Sequence, residues 1–71
     1  MICPRCDGQG TVQAYTPKDT KLVIYVCDEC DATWLTLDSI GTEGRLDLET
    51  YLRSIGIRDG WESIVYRGEA P

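Results

Sequence analysis

Four cysteines carry whatever chemistry this chain can do, and they come as two pairs of identical spacing. Cys3 and Cys6 bracket one C-x-x-C, Cys27 and Cys30 bracket a second, and 20 residues separate the pairs. A C-x-x-C turn delivers two sulfurs to one point, and a gap of about 15–20 residues between two such turns is the spacing of a four-thiolate zinc site. Zn²⁺ takes four such ligands tetrahedrally, and when all four come from protein no coordination position is left for water or substrate. The expectation is therefore one structural Zn²⁺ held by Cys3, Cys6, Cys27 and Cys30. Iron in a similar four-sulfur site is a competing reading. A redox dithiol is another, but it would want a βαβ setting, and the chain shows none. There is no histidine, no serine in a nucleophile motif, and the cysteines are consumed as ligands. No catalytic residue is expected, and the chain reads as a non-enzyme.

The elements that must position these sulfurs follow from local pattern. Residues 3–10 read CPRCDGQG, with a proline and two glycines suited to a tight turn. Residues 11–15 suit a strand, Pro17 to Asp19 a turn, and residues 21–27, rich in β-branched and aromatic side chains, a second strand. After the CDEC turn, residues 32–37 read as a third strand carrying Trp34. Three short antiparallel strands with cysteine turns at one end describe a zinc ribbon over residues 1–37. Residues 38–45 read as a loop. Asp47 is then a helix N-cap, and Leu48, Tyr51, Leu52 and Ile55 fall on one helical face, predicting a helix over 48–55. Gly56 stands where a left-handed cap belongs. Residues 60–66 are expected as a second short helix, with a strand over 63–67 as the alternative, and 68–71 as a frayed tail. The fold class is thus small α+β: a ribbon with a helical extension over 38–71 packed on it as a single domain. A helix this short does not stand alone in water. Its stripe is expected to lie on the ribbon face carrying Trp34 and the Leu22–Val26 strand, with Tyr51 and Trp61 as core anchors.

Size and charge narrow the function. A core built from 71 residues rarely supplies more than roughly 3–5 kcal/mol unaided, so a metal cross-link is expected to complete it. The formal charge is −5; four thiolates and one dication would take it to −7. That balance disfavours nucleic acid and suits a basic protein partner. Asp7, Asp28, Glu29 and Asp31 flank the cysteines against a single nearby base, Arg5. They read either as solvated turn acids or as an acidic contact surface. Asp47 and Glu49, and again Asp59 and Glu62, have the local explanation of acids at helix starts. No apolar run approaches the ~18 residues of a membrane span. The chain starts Met-Ile-Cys with no secretory pattern, so a reducing cytoplasmic home is expected, where C-x-x-C pairs favour metal over disulfide.

Two partial resemblances cover the turns alone. CDGQG after Cys3-Pro4-Arg5 completes C-x-x-C-x-G-x-G, the repeat of the DnaJ-type cysteine-rich domain, but CDECDATW lacks both glycines, which are then read simply as opening the turn. Rubredoxin-like iron sites commonly carry glycine after the second cysteine of each pair, where this chain has Asp7 and Asp31. A broader resemblance spans residues 1–62: CPRC almost at the first methionine, CDECDATW at 27–34, and LETYLRSIGIRDGW at 48–61. In this order the features resemble the small zinc-ribbon immunity proteins of bacterial polymorphic toxin systems of the Rhs and contact-dependent types. The resemblance implies a cytoplasmic protein that binds a cognate, basic toxin domain and neutralises it by protein–protein contact. A zinc-ribbon adaptor in transcription or translation machinery is the alternative function.

Overall fold

One five-stranded sheet, with buried side chains on both of its faces, organises the molecule. The computed structural model describes residues 1–6, 9–41 and 45–69. Strands β1 (Val12–Pro17), β2 (Ile24–Cys27), β3 (Ala32–Trp34), β4 (Leu46–Asp47) and β5 (Ile64–Glu69), with helix α1 (Leu48–Ser54), make a small α+β fold. The sheet is antiparallel throughout, in the order β4-β3-β2-β1-β5. Successive strand residues point to opposite faces, so the register Val12↔Cys27, Tyr25↔Trp34 and Val26↔Thr33 sorts the core into two. One cluster holds Cys3, Val12, Cys27, Ala32 and Trp34. The other holds Ile24, Val26, Leu48, Leu52 and Ile64.

The expected strands are present with different bounds: β1 runs on to Pro17, which was expected in the turn, while β2 and β3 are shorter than expected. β2 begins at Ile24 rather than residue 21, because the preceding turn is self-contained: the Thr20 hydroxyl donates to the Pro17 carbonyl at 2.8 Å and accepts from the Leu22 N–H at 3.3 Å. Such local bonds compete with ladder pairing, and Leu22 and Val23 are left exposed. β3 stops at Trp34, where a Thr36–Ser39 pair of side-chain bonds opens a 3-10 turn over Leu37–Ser39.

The C-terminal region departs most from expectation. It is not purely a helical extension, since it supplies both edges of the sheet, β4 beside β3 and β5 beside β1. In place of a second helix over 60–66 there is a single 3-10 turn, Gly60–Ser63, followed by β5. The strand wins because β1 offers it a partner: Thr16 pairs with Val65 and Pro17 with Ile64, and the Lys18 N–H donates to the Ser63 carbonyl at 2.7 Å. Gly68 and Glu69 belong to β5 rather than to a tail, and residues 70 and 71 lie outside the described residues.

Helix α1 follows its sequence signals closely. Asp47 caps it, accepting from the Thr50 N–H at 3.1 Å. At the other end the Ile57 N–H reaches the Leu52 carbonyl at 2.8 Å and the Gly56 N–H the Arg53 carbonyl at 3.0 Å. With Gly56 at φ +87°, this is a Schellman cap. The cap turns Ile57 back onto the Leu52 core and leaves Ile55 exposed, so Ile57 completes the apolar stripe in place of Ile55. The helix covers Ile24 and Val26 as expected, but not Trp34, which faces the opposite cluster with the cysteines. Tyr51 packs at the edge of the helix-side core, whereas Trp61 is no core anchor: it is 38% exposed.

Candidate metal centre

Each cysteine pair is delivered by a turn that the sheet holds in place. Cys27 ends β2 and the chain reverses through Asp28–Cys30 before β3. Asp31 completes that reversal at φ +59°, the left-handed region where glycine is favoured and aspartate is among the better-tolerated alternatives. Asp31 therefore does the conformational work that glycine would do after the second cysteine. Its carboxylate is also committed, accepting the Trp61 indole N–H at 3.0 Å. The first turn folds back on itself: Ile2 pairs with Thr11, and the Cys3 N–H donates to the Gly10 carbonyl at 3.0 Å. Asp7 and Gly8, named above in this turn, lie outside the described residues.

A clasp with no sequence signature joins the two turns. The Asp28 carboxylate accepts from the Thr11 N–H at 3.0 Å and from the Thr11 hydroxyl at 3.2 Å, while the Asp28 N–H returns a bond to the Thr11 carbonyl at 3.1 Å. Asp28 and Asp31 are thus structural acids. Glu29 remains an exposed one.

The turns bring all four sulfurs within 4.8 Å of one another. Cys6 and Cys27 Sγ are 3.5 Å apart, Cys3 and Cys30 Sγ 3.9 Å, and no disulfide joins any of them. A regular tetrahedron with metal–sulfur bonds of about 2.3 Å has sulfur–sulfur edges of about 3.8 Å, and the two measured edges bracket that length. Cys3, Cys6, Cys27 and Cys30 are therefore close enough to hold a metal ion. Gly10 gives an independent test of fit. A Cβ placed there would stand 2.6 Å from Cys27 Sγ and 2.9 Å from the Glu29 Cβ. The glycine at this position is required by the close approach of the Cys27 sulfur, rather than merely to open the turn.

The protons on these sulfurs show why a cation suits the cluster. Cys6 is pushed far above the ordinary thiol range, by its interaction with the Cys30 sulfur first and then by burial and its contacts with Cys27 and Cys3. Burial also raises Cys27, although the backbone N–H groups of Cys30 and Glu29 favour its thiolate and partly offset the rise; the Glu29 N–H lies 3.4 Å from Cys27 Sγ. Burial opposes ionisation of Cys30 as well, but hydrogen bonds from Cys6, the Ala32 backbone, Cys27 and Cys3 outweigh it and the net shift is downward. One thiolate is thus stabilised at the expense of protons on its neighbours. Crowded sulfurs cannot all ionise unaided, and a divalent ion displaces their protons as it binds.

The covering of this centre includes Trp34, buried to 1% exposure, whose indole N–H has no hydrogen-bond partner among the described residues. No helix among the described residues is long and apolar enough to cross a membrane. No family model, curated protein or solved structure matches this chain, and the four-sulfur geometry is what defines it.

Proposed function

We propose that Cys3, Cys6, Cys27 and Cys30 hold one structural Zn²⁺, that the fold is a zinc ribbon extended by two edge strands and a helix, and that the protein works as a cytoplasmic immunity protein, binding and neutralising a cognate toxin domain of basic surface. The observation that carries the metal assignment is the set of sulfur edges at 3.5 and 3.9 Å with Cys27 Sγ seated against Gly10. Four protein sulfurs saturate the ion, so its work is to hold the two turns together. The contact reading is supported by where the acids stand. Glu29 lies in the second turn, Asp47 pairs beside Ala32, and Glu62 follows the Trp61 that is bonded to Asp31. The acidic first turn of α1 is tied to the same place, because the Leu48 N–H donates to the Asp31 carbonyl at 3.2 Å. Metal thiolates add to that field, which would steer a basic partner.

Elemental analysis and co-expression test the two halves separately. One zinc per chain is expected, and Cys27→Ser should lose both the zinc and the thermal stability; a variant that keeps them contradicts the four-thiolate assignment. Cells expressing a toxin domain encoded immediately upstream should survive when this chain is co-expressed, and failure of rescue removes the immunity reading. Association with that domain should slow in Glu29→Lys and Glu62→Lys, two exposed acids free of the structural bonds of Asp28 and Asp31. Unchanged association rates would place the interface elsewhere.

A further inference from the structure

The four cysteines are unequally covered. Cys3 and Cys27 are sealed at 0% exposure, Cys6 is half-buried, and Cys30 is exposed. The first cysteine of each pair lies under the sheet cluster that includes Val12 and Trp34, while the second stands toward the tip of its turn. Cys6 and Cys30 line an open hollow of about 380 Å³ with Arg5, Gln9 and Glu29. The most exposed of the four cysteines thus belongs to the set that would carry the metal, and the sulfur of buried Cys3 lies 3.9 Å from its own.

We propose that Cys30 is an oxidative modification site through which hydrogen peroxide opens the metal centre, with Cys3 as the resolving thiol. This rests on the metal assignment above. The Cys30 thiolate attacks one peroxide oxygen; an S–O bond forms, the O–O bond breaks, and hydroxide departs, leaving a sulfenic acid. Cys3 holds the buried sulfur 3.9 Å from Cys30 Sγ, within reach of the oxidised sulfur. Attack by Cys3 forms the S–S bond and expels a second hydroxide to solvent. Two thiolates are oxidised, one peroxide is reduced to two hydroxides, and two of the four metal ligands are withdrawn. The buried position of Cys3 and Cys27 prevents them from meeting peroxide first, since reactive thiols need access as well as ionisation. A thiol reductant together with zinc would reverse the change.

The zinc-loaded full chain, treated with hydrogen peroxide and quenched in acid, tests this with a chromogenic chelator and peptide mapping. The expected result is loss of one zinc per chain together with a Cys3–Cys30 disulfide. A brief N-ethylmaleimide pulse on the untreated holoprotein should label Cys30 first while Cys3 and Cys27 stay protected. Zinc release with Cys30 unmodified, early labelling of Cys3 or Cys27, a disulfide of any other pair, or zinc retained under peroxide would each overturn the proposal while leaving the metal assignment standing. A preparation with no stoichiometric zinc at the outset would overturn both.

Discussion

At the scale of single residues, the sulfur cluster depends on positions that carry no cysteine. Gly10 is one. A methyl group there meets Cys27 Sγ at 2.6 Å and the Glu29 side chain at 2.9 Å, so Gly10→Ala must shift a ligand or its turn. Misplacing groups that orient metal ligands typically costs about 10–100-fold in affinity. A competition titration with a chromogenic chelator should show a loss of that order, and wild-type affinity would mean that the turn yields freely. Tyr15 is another informative position. Burial first, then the Asp28 carboxylate and Tyr66, push its hydroxyl above the ordinary 10.0. The native state then holds that proton more tightly than the unfolded chain. The resulting stabilisation is complete below about pH 10 and is lost as pH rises through the folded value. Denaturant midpoints should therefore fall less steeply on the alkaline side in Tyr15→Phe than in the parent; parallel slopes would assign the loss to other groups. The four cysteines were legible because two C-x-x-C pairs at this gap form a recognised spacing pattern. The Asp28–Thr11 clasp and the Trp61–Asp31 bond were not, because no spacing pattern links residues of these types 17 and 30 positions apart.

At the scale of elements, α1 shows how far local signals reach. Its N-cap, its buried Leu48 and Leu52 and its Gly56 terminator all lie within a dozen residues, and each is present as expected. What the periodicity could not show was the Schellman turn exchanging Ile55 for Ile57. The two positions should separate in stability measurements. Leu52→Ala removes a side chain buried to 1% exposure and should cost about 2–5 kcal/mol. Ile55→Ala, at 38% exposure, should stay within about 0.5 kcal/mol. Equal effects in chemical denaturation would contradict the cap. β5 makes the opposite point. Residues 60–66 carry both a helical start and β-branched residues, and the choice falls to the free edge of β1, which no window of sequence contains.

At the scale of the whole molecule, the sheet separates two small clusters, and each needs a different support. The helix closes one; the sulfurs and the N-terminal turn close the other around Trp34. Structural zinc carries apparent binding energies on the order of 10–16 kcal/mol in small domains, more than a core of this size supplies alone. Removing the metal with a chelator, or displacing it with protons in mild acid, should lower the thermal midpoint and shift Trp34 emission toward that of a solvated indole. Emission and midpoint unchanged after complete stripping would show that the sulfur-side cluster holds without an ion.

By itself the sequence determined the four cysteines that gather as a candidate metal site, the β-rich N-terminal half, the capped helix and the acidic balance. All of these are encoded by residue spacing, propensity and charge that can be read along the chain. Only the tertiary structure decided that the C-terminal segment returns to complete the sheet, that Trp34 faces the cysteines while Trp61 lies exposed against Asp31, and that Cys30 alone of the four cysteines is exposed. Those outcomes depend on which strand edge is vacant and which face is already filled, and both are properties of the assembled sheet rather than of any segment within it.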